Sequence, residues 1–127
     1  SRNGLAINGG DAVIDVTVVA PGIDMNARHP VSIDNTTGGF VDFSGGTINS
    51  PSGSWAFLVQ NNAGNVNVSQ PFTATDPGAS NAGVFAQNNT GNVIFSSVVV
   101  NANTGSGIYA SGNSGLFRVS AGSIDVT

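Results

Sequence analysis

The 127-residue chain has no Lys, no Glu and no Cys, three Arg against seven Asp, a net charge of −4, and only 8% charged residues, against about 25% in an average globular domain. Helix surfaces are built largely from Ala, Leu, Glu, Lys, Gln and Arg, so this composition argues against a helical protein, and without a Lys/Arg patch to neutralise phosphates it argues against nucleic acid as a partner. No apolar run approaches the roughly 20 residues of a membrane-spanning helix, no basic cluster suits an anionic membrane, and no thiolate is present for disulfides or metal.

Taken in chain order, Ser1 to Gly10 lacks the basic start and apolar middle of a signal peptide. "AVIDVT" at 12–17 is then the first, loosest copy of a motif that recurs as "GFVDFS" (39–44), "GNVNVS" (64–69), "GNVIFS" (91–96) and "GLFRVS" (115–120). The intervals between the four stricter copies are 25, 27 and 24 residues, and a fixed period of this size marks a solenoid. Within each copy apolar residues alternate with others, the period-2 signature of a strand with one buried face. The inward pairs are Ile14/Val16, Val41/Phe43, Val66/Val68, Val93/Phe95 and Phe117/Val119; the outward residues between them are Asp15, Asp42, Asn67, Ile94 and Arg118.

Two further apolar clusters recur per repeat, one before the motif (Val31/Ile33, Phe57 to Val59, Val84/Phe85, Ile108/Tyr109) and one after it (Ile48, Phe72, Val98 to Val100, Ile124/Val126). Polar strings such as "QNNAGN" and "QNNTGN" separate them. The pattern predicts an all-β solenoid of about five coils with three short strands per coil, occupying residues 1–127 as a single domain. At ~4.8 Å per coil the rod is on the order of 24 Å long. Asn tolerates the left-handed backbone of tight corners, and Asn62, Asn89 and Asn113, with Thr37 in an earlier copy, are expected to stack as a side-chain ladder. A strand-like ending at "SIDVT" with no terminal cap predicts a fragment of a longer chain, or ends covered by other subunits.

On repeat length, alternation and Asn/Gly turns, the chain resembles a right-handed parallel β-helix of the pectin-lyase-like kind, as in polysaccharide lyases, phage tailspikes and bacterial surface proteins. The resemblance implies a rigid structural and receptor-binding segment, extracellular or on a virion, homotrimeric, recognising host-surface polysaccharide. Two alternatives follow from it: the catalytic β-helix of a polysaccharide depolymerase, and an autotransporter-type adhesin.

For catalysis, stacking brings Asp15 and Asp42 to about one strand spacing, close to the carboxylate separation of a retaining glycosidase; these are the catalytic candidates. Asp42, Asn67, Trp55 and Arg118 are the ligand-binding candidates, Trp55 as a platform for a sugar ring or, equally, as a coil cap or subunit contact. Arg118 lies three coils from Asp42, about 14 Å, too far to serve one lyase centre with it. His29, the only His, stands beside Arg28 in "MNARHP" and reads as a turn or interface residue; Asp76 in "TDPG" reads as a turn. No phosphate loop is present, the sequon matches at Asn35, Asn67 and Asn88 are what an Asn-rich chain contains by chance, and neither a metal site nor a cofactor is expected.

Overall fold

A computed structural model describes residues 5–11, 13–18, 23–24, 31–45, 48–50, 57–75, 82–102 and 105–126. The repeat folds into successive rungs. The first holds β1 (Leu5–Asn8), β2 (Val13–Val18) and β3 (Ile23–Asp24); the second β4 (Val31–Asp34), β5 (Phe40–Gly45) and β6 (Ile48–Ser50). The third holds β7 (Phe57–Gln60) and β8 (Asn65–Thr75), the fourth β9 (Ala82–Gln87) and β10 (Val93–Ala102), and the fifth β11 (Ser106–Ser111), β12 (Phe117–Val119) and β13 (Gly122–Val126).

All the pairings are parallel and join equivalent strands of neighbouring rungs. One sheet runs β1-β4-β7-β9-β11; the second runs β2-β5-β8-β10-β12, with β3, β6 and β13 joining it on the far side of a bend. The chain is thus a parallel β-solenoid, and no helix occurs among the described residues. Two features differ from the sequence expectation. In rungs three and four the second and third strands run on as one long bent strand, with only "SQP" and "SS" between their apolar halves. And in place of five equivalent coils there are about three turns with a closed interior: the fully buried apolar residues lie between Val31 and Val100, while Ile14, Val16, Phe117 and Val119 of the flanking rungs are only partly covered.

The interior is filled by the alternating residues. Phe57 sits at its centre, packing edge-on against Phe43, Phe72 and Phe95 with ring centroids 5.7, 5.5 and 5.0 Å away, the edge-to-face geometry that aromatic quadrupoles favour. All four rings are fully buried.

The turn after the first sheet is a polar counterpart to this core. Asn35, Asn61 and Asn88 adopt φ of 57°, 55° and 54°, and Gly112 takes over with φ 65°. Next to them, Asn62 and Asn89 point inward and are 1% and 0% exposed. The Nδ2 of Asn62 donates to the Oδ1 of Asn89 (3.2 Å) and to the carbonyl of Ile33 (3.0 Å). Asn89 repeats this one rung on, donating to Asn113 Oδ1 (2.8 Å) and to the Val59 carbonyl (3.1 Å). Each Oδ1 also accepts a backbone N–H from the rung before: Thr36 to Asn62, Asn62 to Asn89, Asn89 to Asn113. The ladder therefore begins at Thr36 rather than Thr37. The second rung has an extra residue, Gly39, in this turn, which displaces an alignment anchored on the motif glycine by one.

Glycine closes the same turn for a steric reason. A Cβ on Gly91 would run into the carbonyl of Gly64, and one on Gly115 into the carbonyl of Gly91; the backbones stack too closely for any side chain. From first-sheet inward residue to second-sheet inward residue this turn spans seven positions in four rungs (Ile7 to Ile14, Val59 to Val66, Ala86 to Val93, Ala110 to Phe117) and eight in the second (Ile33 to Val41).

The bend inside the second sheet follows a different rule. Between register-equivalent positions it takes seven residues in the first rung (Val16 to Ile23), five in the second (Phe43 to Ile48), four in the third (Val68 to Phe72) and three in the last two (Phe95 to Val98, Val119 to Gly122). The extra residue of β8 relative to β10 leaves Gln70 inside the bend, 3% exposed, with neither amide atom hydrogen-bonded.

Two stability measurements follow. Asn89→Ala leaves two buried backbone groups of the third rung, the Val59 carbonyl and the Asn62 N–H, without partners and is expected to cost about 3 kcal/mol or more, whereas Asn88→Gly, at a left-handed position, should stay within about 0.5 kcal/mol. Gln70→Leu removes an unpaired buried amide and is expected to stabilise by about 1–2 kcal/mol; urea unfolding of the three variants measures all three effects.

Candidate functional site

Because side chains alternate and the rungs are in register, the outward residues of β2, β5, β8, β10 and β12 fall into columns. Cα partners run Asp15 to Asp42, Asp42 to Asn67, Asn67 to Ile94 and Ile94 to Arg118. The column read from the sequence is therefore one continuous line along the rod. Two residues further along lies a second column, Thr17 in the first rung followed by Ser44, Ser69, Ser96 and Ser120, bordering the bend.

Together the two columns floor a shallow groove of about 550 Å³ lined by Asp15, Asp42, Asn67, Ile94 and the four serines. Within it, Asn67 Nδ2 donates to Asp42 Oδ1 at 2.7 Å, which fixes both side chains across adjacent rungs. Ser96 donates its hydroxyl to the Ser69 carbonyl at 2.6 Å. Asp15 and Arg118 make no side-chain hydrogen bond or ion pair within the described residues, so one carboxylate and one guanidinium face solvent unengaged. Arg118 is exposed and continues the column one rung beyond Ile94.

The sequence-predicted residues thus divide. Asp15, Asp42 and Asn67 are brought together in the groove, and Arg118 stands in line with them but separated by the apolar Ile94. Trp55, together with His29, Arg28 and Asp76, lies outside the described residues. The serine column was not singled out in the sequence as part of a site, although its signal was present: the Ser that ends each strict copy of the motif has the same parity as the outward residue. Among the described residues no group of three His, Cys, Asp or Glu is placed to hold a metal ion.

A second concave region, about 380 Å³, opens at the last rung between Val98, Ile108, Val119 and Ile124. It is the exposed end of the apolar interior and brings no polar side chains into convergence beyond Ser120 and Ser123.

The first sheet has its own outward column. Ser32, Leu58, Phe85 and Tyr109 are register partners, and the rings of Phe85 and Tyr109 stack with centroids 4.9 Å apart and planes 10° from parallel. Beside it, Gln60 Nε2 donates to Asp34 Oδ2 at 3.0 Å. From Leu58 to Tyr109 this column is largely apolar, whereas the groove is lined mainly by polar side chains.

Comparison with protein-family models, curated proteins and solved structures finds no match for this chain. The fold class, a parallel β-solenoid, rests on the strand register alone.

Like charges directly opposite on neighbouring strands are unfavourable. Asp15→Asn is therefore expected to stabilise the rod by about 0.3 kcal/mol at low ionic strength, with the gain vanishing near 0.5 M NaCl as screening takes over. Chemical unfolding at two salt concentrations reads it.

Proposed function

We propose that this protein is a rigid receptor-binding rod of the tailspike or tail-fibre kind, acting outside the cell or on a virion and recognising a host-surface polysaccharide along the outer face of its second sheet. The observation that carries this reading is the groove itself. It presents carboxylate, amide and hydroxyl groups at the repeat of the rungs, ~4.8 Å, so a polymer of repeating sugars meets a surface of repeating hydrogen-bonding groups. Stiffness supports the same role: an inner ladder of amides ties the second rung to the third, the third to the fourth and the fourth to the fifth, and such a rod holds its binding face in one shape, lowering the ordering cost of association. The spike reading includes a homotrimer.

The adjacency of Asp15 and Asp42 favours one second reading, a glycan depolymerase that uses both carboxylates. Against it, Asp42 is already engaged by the Asn67 amide, and the groove lining contains no His, Lys or Glu.

Incubation with capsular and O-antigen polysaccharides, followed by size analysis and a binding assay, separates the readings. Retention of intact polymer, weakened about tenfold by the double change Asp42→Ala and Asn67→Ala through loss of two hydrogen-bonding side chains, is the expected result. Shortening of the polymer that disappears in Asp42→Asn establishes the depolymerase instead, and absence of binding to any polysaccharide removes the glycan reading. A monomeric mass by light scattering would remove the trimer from it.

A further inference from the structure

The first and last rungs differ from the three between them in matching ways. Among the described residues their strands pair on one side only, so each presents a row of backbone donors and acceptors without a strand partner. Every described apolar side chain that packs on the core yet stays partly covered belongs to one of these two rungs, Ile14 and Val16 in the first and Phe117 and Val119 in the last among them. The large apolar residues that are exposed, Val13, Tyr109, Leu116 and Ile124, belong there too. Two outward columns also end in groups that suit each other. The column through Asp42 and Asn67 starts at Asp15 and ends at Arg118, and neither of these is paired among the described residues. The column two residues earlier starts at Val13, 61% exposed, and ends at Leu116, 52% exposed.

We infer that a second copy of this chain docks head to tail on the first, its first rung laid on the last rung of its neighbour in the register the internal rungs already use. In that register β11, β12 and β13 receive β1, β2 and β3 of the second copy, and each strand edge gains the parallel partner it lacks. Arg118 becomes the cross-strand neighbour of Asp15 of the second copy, an opposite-charge pair, whereas within the chain the register partner of Asp15 is another carboxylate, Asp42. Leu116 comes against Val13 of the second copy. Phe117 and Val119 continue the core into its Ile14 and Val16, so both rungs lose apolar surface to the same contact. The asparagine ladder does not cross this joint, because its place in the first rung is held by Gly10, which has no side chain to offer. The contact is therefore weaker than the joints inside the rod, and reversible. Being heterologous, and in line with the rod axis, it propagates into a row of copies and does not close. The inference stands apart from the glycan reading, since it draws only on the match between the two rungs.

The test follows the mass of the whole chain against its concentration by sedimentation velocity. A mass that climbs with concentration, with a frictional ratio that rises as the row lengthens, is the expected result. Arg118→Asp and Asp15→Arg each set like charges across the joint, and each is expected to weaken association about tenfold. The two changes move the net charge of −4 in opposite directions, so a loss in both does not come from general repulsion. Mixed together, the two variants again present opposite charges at every joint, and association is expected to return to the parent level. Unfolding curves verify that each variant is folded. A mass that does not grow with concentration overturns the inference, a side-by-side trimer of fixed mass included. Growth that neither variant weakens overturns it as well, as does a loss that mixing fails to restore.

Discussion

The structure depends on the inner asparagine ladder. A solenoid must reverse the chain direction of each coil while keeping its backbone polar groups paired, and a turn buried against the next turn has no water to pair them with. Asn62 and Asn89 solve this with one side chain each. Their amides cap a carbonyl at the end of the first sheet in the rung before, and their Oδ1 atoms take a backbone N–H from that same rung. The left-handed residue ahead of each and the glycine behind it are consequences: the first aims the amide inward, and the second lets the backbone above come down to bonding distance. With the turn locked, the inward residues of both sheets fall into register, and with them the outward columns.

Much of this was legible in the sequence because two periods coincide there. The period of two decides which way each side chain points, and the period of about 25 decides which residues become neighbours; together they place Asp15, Asp42, Asn67, Ile94 and Arg118 in one line without any coordinates. Where the reading slipped, a local irregularity broke one period. Gly39 added a residue to a single turn and moved the ladder's first member from Thr37 to Thr36. The apolar clusters on either side of Ser96 and Ser97 read as two strands by the repeat pattern, but no Gly, Pro or Asn interrupts the chain there and the two fuse. Gln70 looks like an ordinary surface glutamine, and only the residue-count mismatch between β8 and β10 sends it inside.

The groove was less legible than the column that floors it. Concavity comes from how the sheet bends alongside the serines, and a bend inside a strand carries no periodic signal. The chemistry on offer was plain from residue types; the binding of Asp42 by Asn67 was not, since it depends on rotamers and on Asp42 and Asn67 being Cα partners on adjacent strands. That contact turns a carboxylate on an open face into an oriented one.

The two bends of the coil carry unequal freedom. The asparagine turn keeps its length of seven positions, with a single exception of eight, because each added residue must find room under a stacked backbone. The bend beside the groove runs from three positions to seven without disturbing the register of the strands on either side of it. Insertions are therefore absorbed along one edge of the groove and resisted at the opposite corner. A lineage of such rods can vary the rim of its groove while the scaffold that presents the groove stays the same.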